Sequence, residues 1–252
     1  MKLKLFTSIA FLGLFLSVAN VQANIDEKMR KERVVRGIII KDGKETEGYI
    51  KKKSETRTHE GVTYSAFDNF QSDISFIPKE EFETAAKITN KMYTKYDPKM
   101  LDGYKYIYET GNMLTYESVK YSDKSAVSLR MIPQQTFLRV ESNGKITVYS
   151  FYSPLPKVMV GNEAIKQAYE ATDIQQIVYR RAGETASPKM IELMNLEKEL
   201  ADCPKIVERY KSGEYNVVGK SKFMNALNKA GASDKMKYTA IVEYNSGVCD
   251  EE

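Results

Sequence analysis

The side chains able to do chemistry are few, and they do not converge. The single histidine, His59, lies in the polar stretch Ser54 to Glu60 and reads as a solvated loop residue. A Ser-His-Asp or Cys-His centre would have to use it as its base, and the cysteines are far from it in sequence. One histidine and two cysteines are too few for a zinc site. Neither the acidic spacing of a calcium loop nor a glycine-rich phosphate loop is present. No metal and no cofactor is therefore expected, and no catalytic residue can be named. Carboxylate pairs are the one catalytic option left open, because the acids of a glycan hydrolase come from distant positions. Glu109 with Glu117, or Asp68 with Asp73, could serve.

The two cysteines, Cys203 and Cys249, lie in the last fifth of the chain. In an oxidising compartment two such cysteines pair. The loop they close is about 46 residues long, and chain entropy then sets an upper contribution of about 4 kcal/mol.

The most distinctive stretch is Asp102 to Tyr121, two strands joined at Thr110-Gly111-Asn112. Side chains alternate across a strand, so Tyr104, Tyr106 and Tyr108 share one face, and Lys105, Ile107 and Glu109 the other. A row of three tyrosines is either a core wall or a binding surface, since each ring is apolar and each hydroxyl can stay wet. Core filling is the preferred expectation, with a possible binding face as the alternative.

Elements must position these groups, and the chain's start says where they work. Lys2 and Lys4 precede an apolar run from Leu5 to Leu16, and Val21-Gln22-Ala23 offers small residues at a cleavage site. That is a secretory signal over residues 1–23. The run of about 12 residues is short of the about 20 a spanning helix needs. No cysteine stands at the cut, so a lipoprotein is not expected, and no later stretch is apolar enough to span. The formal charge of +4 includes Lys2 and Lys4; without them 36 basic side chains face 34 acidic ones, about +2. Nucleic acid is not an expected partner. An exported chain, periplasmic or secreted, is.

From Asn24 to Glu32 the chain reads as a flexible lead-in. Asp42-Gly43 between β-branched runs predicts a hairpin with Ile39 opposite Thr46 and Val35 opposite Ile50. Strands follow at Tyr64–Phe67 and Phe70–Ile77. Residues Phe82, Ala85, Ala86, Thr89, Met92, Tyr93 and Tyr96 then recur at helical spacing, predicting one packed helix over about 79–96. Asn143-Gly144 predicts a second hairpin, apolar on both faces and so interior to the sheet. Ser125 to Met131 is apolar, Val158 to Thr172 ambiguous, and Ile174 to Arg181 reads as the last strand. Beyond Gly183 the period turns helical, with helices expected from Ser187-Pro188, from Cys203-Pro204, over Lys220–Lys229 and over Asp234–Tyr244.

The fold class is therefore α+β: an antiparallel, hairpin-rich sheet or partly closed barrel over residues 24–182, then a helical C-terminal region over 183–252 closed by the disulfide. The segments GIIIKDGKETEGYI, FQSDISFIP, YDPKMLDGYKY with YESVKY, FLRVESNGKITVYSFY, and DCPKIVERY with IVEYNSGVC span Val34 to Cys249. In this pattern the chain resembles a family of uncharacterised exported proteins from Gram-negative bacteria. The resemblance implies a β-rich envelope or secreted protein with a small helical tail; it implies no activity and carries over no site residues. The long helix over 79–96 departs from it. Two functions stay open: a non-catalytic binding or interaction protein, whose partner is an envelope protein, a glycan or a small ligand, and a carboxylate-dependent hydrolase acting on glycans. Assembly through a sheet edge is a third.

Overall fold

The computed structural model describes residues 23–52, 56–59, 62–65, 69–107, 111–122, 133–152, 175–216 and 232–250. The fold is α+β, built on a ten-stranded antiparallel sheet. In chain order the strands are β1 (Val34–Lys41), β2 (Lys44–Lys51), β3 (Thr56–His59), β4 (Val62–Ser65), β5 (Ile74–Pro78) and β6 (Thr94–Tyr96). They continue as β7 (Gly103–Ile107), β8 (Met113–Tyr121), β9 (Gln134–Ser142), β10 (Ile146–Tyr152), β11 (Gln175–Arg181) and β12 (Lys189–Met190). Spatially they run β12-β11-β10-β9-β8-β7-β1-β2-β5-β6, while β3 and β4 form a separate hairpin. The sheet does not close, because β6 and β12 are two distinct edges. Helices are α1 (23–32), α2 (Asn69–Ser72), α3 (Lys79–Thr84), α4 (Leu196–Glu199), α5 (Pro204–Lys211) and α6 (Ala232–Asn245).

Local chemistry explains the best-defined parts. Asp42 and Gly43 both have positive φ, 51° and 71°, which a two-residue hairpin turn of the sheet's twist requires. The register that follows sets Ile39 opposite Thr46 and Val35 opposite Ile50, as the alternation predicts. The Asn143-Gly144 hairpin does lie inside the sheet, between β8 and β11, but its ladder shifts register between Val148 and Tyr149. Its glycine is needed for space: a Cβ on Gly144 would stand 2.6 Å from Asn245 Cγ. The Asn245 amide lies there because it pairs with the Ile146 backbone, accepting from its N–H at 3.1 Å and donating to its carbonyl at 2.7 Å.

Both faces of the sheet are buried, at different places. On one face Val35, Ile39, Ile50, Phe76, Tyr104, Tyr106 and Phe137 form a core towards β5. Farther along the same face Ile146, Val148, Ile177 and Tyr179 pack under α4, α5 and α6. On the opposite face Val34, Tyr49 and Ile77 lie under α1 and α3, and Val119, Leu138, Tyr149 and Val178 gather across β8 to β11. Contacts across non-neighbouring strands show how far the sheet curls. Tyr121 on β8 bonds Gln176 on β11 with two strands between them. In a flat sheet those strands would stand about 14 Å apart.

Several expectations need correction. The helix over about 79–96 is only six residues long, and Ala85 is already extended. Thr89, Asn90, Tyr93 and Thr94 are weak helix formers, and β5 would otherwise lack a partner on its outer side. The chain instead returns as β6, pairing Ile74 with Tyr96 and Phe76 with Thr94. The supposed lead-in is helix α1, whose Ile25 and Met29, four residues apart, pack on the sheet. Phe70 belongs to α2 rather than to a strand, and the strand expected at Tyr64–Phe67 is placed at Val62–Ser65. The helix expected from Ser187 is broken, since Lys189 and Met190 pair with β11 and become the last of the described strands. A short 3-10 turn follows over Ile191–Leu193, and α-helix begins only where the Asn195 side chain accepts from the Lys198 N–H. The Cys203-Pro204 helix and its end at Gly213, φ 79°, stand as expected. The signal segment before residue 23, Ser125–Met131, Val158–Thr172 and Lys220–Lys229 lie outside the described residues.

Candidate functional site

Tyr104 and Tyr106 are 0% and 1% exposed and belong to the core beneath β1, β2 and β5. Tyr104 stacks on Tyr116 at 4.6 Å and meets the edge of Phe137 at 4.9 Å. The alternation was read correctly, but these two rings are inside, so they offer no binding face. Tyr108 lies outside the described residues. Of the candidate acids, Glu109 and Asp68 also lie outside them. Asp73 accepts from Ser72 at 3.2 Å and stands 3.5 Å from Lys95. His59 ends β3 instead of sitting in a loop, and its side chain is not among those described. Cys203 and Cys249 stand together at disulfide distance, Cα to Cα 5.6 Å, joining the start of α5 to the chain beyond α6.

Glu117 has a different setting from the one its spacing suggests. Three strands contribute to it. Tyr149 on β10 donates its hydroxyl to Glu117 Oε2 at 2.7 Å. Arg180 on β11 donates to Glu117 Oε1 and, at 2.9 Å, to the Tyr149 hydroxyl oxygen. The curl of the sheet makes this reach possible. The Glu117 side chain is 37% exposed and that of Arg180 19%, so the cluster sits at the border between core and water. Burial, reinforced by the Glu117 carboxylate, pushes the Tyr149 hydroxyl well above its ordinary range. Tyr149 is thus a hydrogen-bond donor and not a base.

The opposite face of the same strands carries a second polar cluster. Arg139 Nε and the Ser150 hydroxyl both donate to Glu141 Oε1, each at 2.5 Å. Burial, with Glu141 adding to it, raises Tyr238 of α6 to about 12. Removing one partner of a buried pair of this kind costs about 3–5 kcal/mol, which assigns it a structural task. Arg139 and Glu141 are the signal that the sequence offered here: two charges on one face of a strand whose neighbours are apolar.

The same construction recurs. Tyr49 donates to Glu83 at 2.7 Å, Tyr179 to Glu199 at 3.1 Å, Tyr215 to Glu243 at 2.8 Å, and Tyr244 to Asp202. Arg181 bonds Glu199 at 3.1 Å, and Arg209 bonds Glu243. These partners are 18 to 42 residues apart, so no local pattern announces them. Chemically the arrangement ties each carboxylate to a hydroxyl and, in most cases, to a cation. Such acids can accept hydrogen bonds but are poorly placed to trade protons. Among the described residues no three ligating side chains gather as a metal site would require, and no helix is long and apolar enough to cross a membrane. Comparison of the chain with family models, with curated proteins and with solved structures finds no match.

Proposed function

We propose that this chain is an exported, non-catalytic binding or interaction protein of the bacterial cell envelope, akin to the exported family whose segment pattern it resembles. The observation that carries the reading is the Glu117–Tyr149–Arg180 cluster. Its groups are committed to each other, which disfavours proton transfer, yet Glu117 keeps a solvent-facing side that can accept from a ligand hydroxyl or ammonium. The Cys203–Cys249 pair supports an oxidising compartment, periplasmic or extracellular. Assembly through a sheet edge finds little support, because β6 has three residues, Lys95 among them, and β12 has two. Short, lysine-bearing edges discourage strand pairing.

The experiment is cross-linked capture from envelope fractions with the oxidised chain from Asn24 to Glu252, wild type beside Glu117→Gln, together with an assay for new reducing ends on envelope glycans. One reproducible glycan or protein partner, lost in Glu117→Gln, is the expected result. Release of reducing ends by wild type and not by Glu117→Gln would replace the reading with hydrolysis. A partner retained equally by both proteins would remove the cluster from the site.

A further inference from the structure

We propose that α1 is a detachable strap, and that two copies of this chain exchange it through Arg33 to form a closed dimer. Among the described residues, the contacts that hold helix α1 are only partly buried. Ile25 and Met29 are half-buried, Asp26 pairs with Arg36 at 3.3 Å in an exposed position, and Lys28 donates to the carbonyls of Phe82 and Ala85. The seat beneath is far more buried than the helix that covers it. Val34, Tyr49, Ile77, Phe82 and Ile88 form it, and they cannot be left open to water at no cost.

The hinge is a single residue. Arg33 has φ 55°, a left-handed backbone that an arginine adopts at a penalty. Its N–H donates to Arg30 at 3.2 Å and its carbonyl accepts from Lys52 at 2.7 Å, so the turn that folds α1 back is tightly specified. A second cost sits close by. The Tyr93 hydroxyl is buried with no hydrogen-bond partner among the described residues, and water reaches it when the strap lifts. Letting Arg33 extend relieves the backbone and swings α1 off its own sheet.

The seat also states what refills it. It requires an apolar pair four residues apart and a lysine between them that reaches the free carbonyls at the end of α3. Ile25, Lys28 and Met29 of another copy meet that requirement without change. Exchange therefore recreates the same contacts in trans, on a two-fold axis that closes the assembly at two copies. A short hinge under strain is the setting that favours such exchange.

The test is light scattering after size exclusion, over a wide concentration range, on oxidised Asn24 to Glu252 chains. The wild type is expected to form a dimer whose share rises with concentration. Arg33→Gly removes the strain and should favour the monomer; Arg33→Pro fixes φ near −65° and should favour the dimer. Each substitution should move the dimer dissociation constant by roughly ten- to a hundredfold, in opposite directions, because every dimer opens two hinges. A monomer at all concentrations in all three proteins overturns the proposal, as does a dimer of equal strength in all three. Should Arg33→Pro fail to fold, wild type against Arg33→Gly decides alone: a dimer weakened about tenfold or more supports exchange, and an unchanged one overturns it.

Discussion

Tyrosine does two jobs in this protein at once. Its ring fills the core, and its hydroxyl, brought to the core's border, must find an acceptor; a carboxylate is the strongest available. Tyr49, Tyr149, Tyr179, Tyr215 and Tyr244 all follow this plan. The consequence is a pH dependence of one sign. Burial raises each of these hydroxyls above the ordinary value, and it carries Tyr93 to about 12. In the unfolded chain they ionise near pH 10. Where the folded value lies above the unfolded one, the stabilisation is complete below about pH 10 and is lost as pH climbs through the folded values. Urea midpoints are therefore expected to fall steeply above about pH 10, with tyrosinate absorbance appearing as the protein unfolds. A constant midpoint to about pH 11, with most tyrosines ionising freely in the folded state, would contradict this account of the cores.

At the scale of elements, the tightest fit lies where β1 and β2 pair, flanked by β7 and β5. Gly37 faces Gly48 there, and a Cβ on Gly48 would stand 2.2 Å from the Ile77 carbonyl oxygen and 2.4 Å from the Phe76 ring. Backbone cannot yield as a side chain can, so Gly48→Ala should cost about 1–3 kcal/mol or more. Gly43, with open space around its Cβ position, should lose less through crowding than through its positive φ. Chemical unfolding of both variants checks this, and equal small losses would show that the sheet is looser than described. This hairpin was also the most legible part of the sequence, because Asp-Gly fixes the turn and the alternation fixes the register. Legibility failed where a local period competed with a distant partner. Phe82 to Tyr96 carries a helical stripe, but β5 needed a neighbouring strand and took one from it. Ile25 and Met29 are too few to announce a helix until the seat beneath them exists. The Glu117 site was half visible: the residue was a candidate, but Tyr149 and Arg180 come from strands whose nearness depends on the curl.

At the largest scale, the described residues form four apolar clusters on two faces in place of a single central core, and most of them draw on strands far apart in sequence. The C-terminal region is not a separate body, since its helices share a cluster with β10 and β11. The disulfide fixes that arrangement across a separation of 46 residues. Reduction should lower stability by up to about 4 kcal/mol, read as the shift in urea unfolding with and without reductant. A shift below about 1 kcal/mol would mean that the helical cover holds by packing alone. The Asn245 amide has a wider consequence. Asn245 is the last residue of α6, yet it completes the backbone bonding of Ile146, about a hundred residues earlier. A polypeptide emerges amino end first, so β9 to β11 are formed long before their latch arrives. Until α6 emerges, Ile146, Val148 and Ile177 lack the part of their cover that Ala240, Ile241 and Tyr244 supply. A chain that stopped short of Asn245 would lack the latch and Cys249 together, and would leave those strands only partly covered against proteases and chaperones.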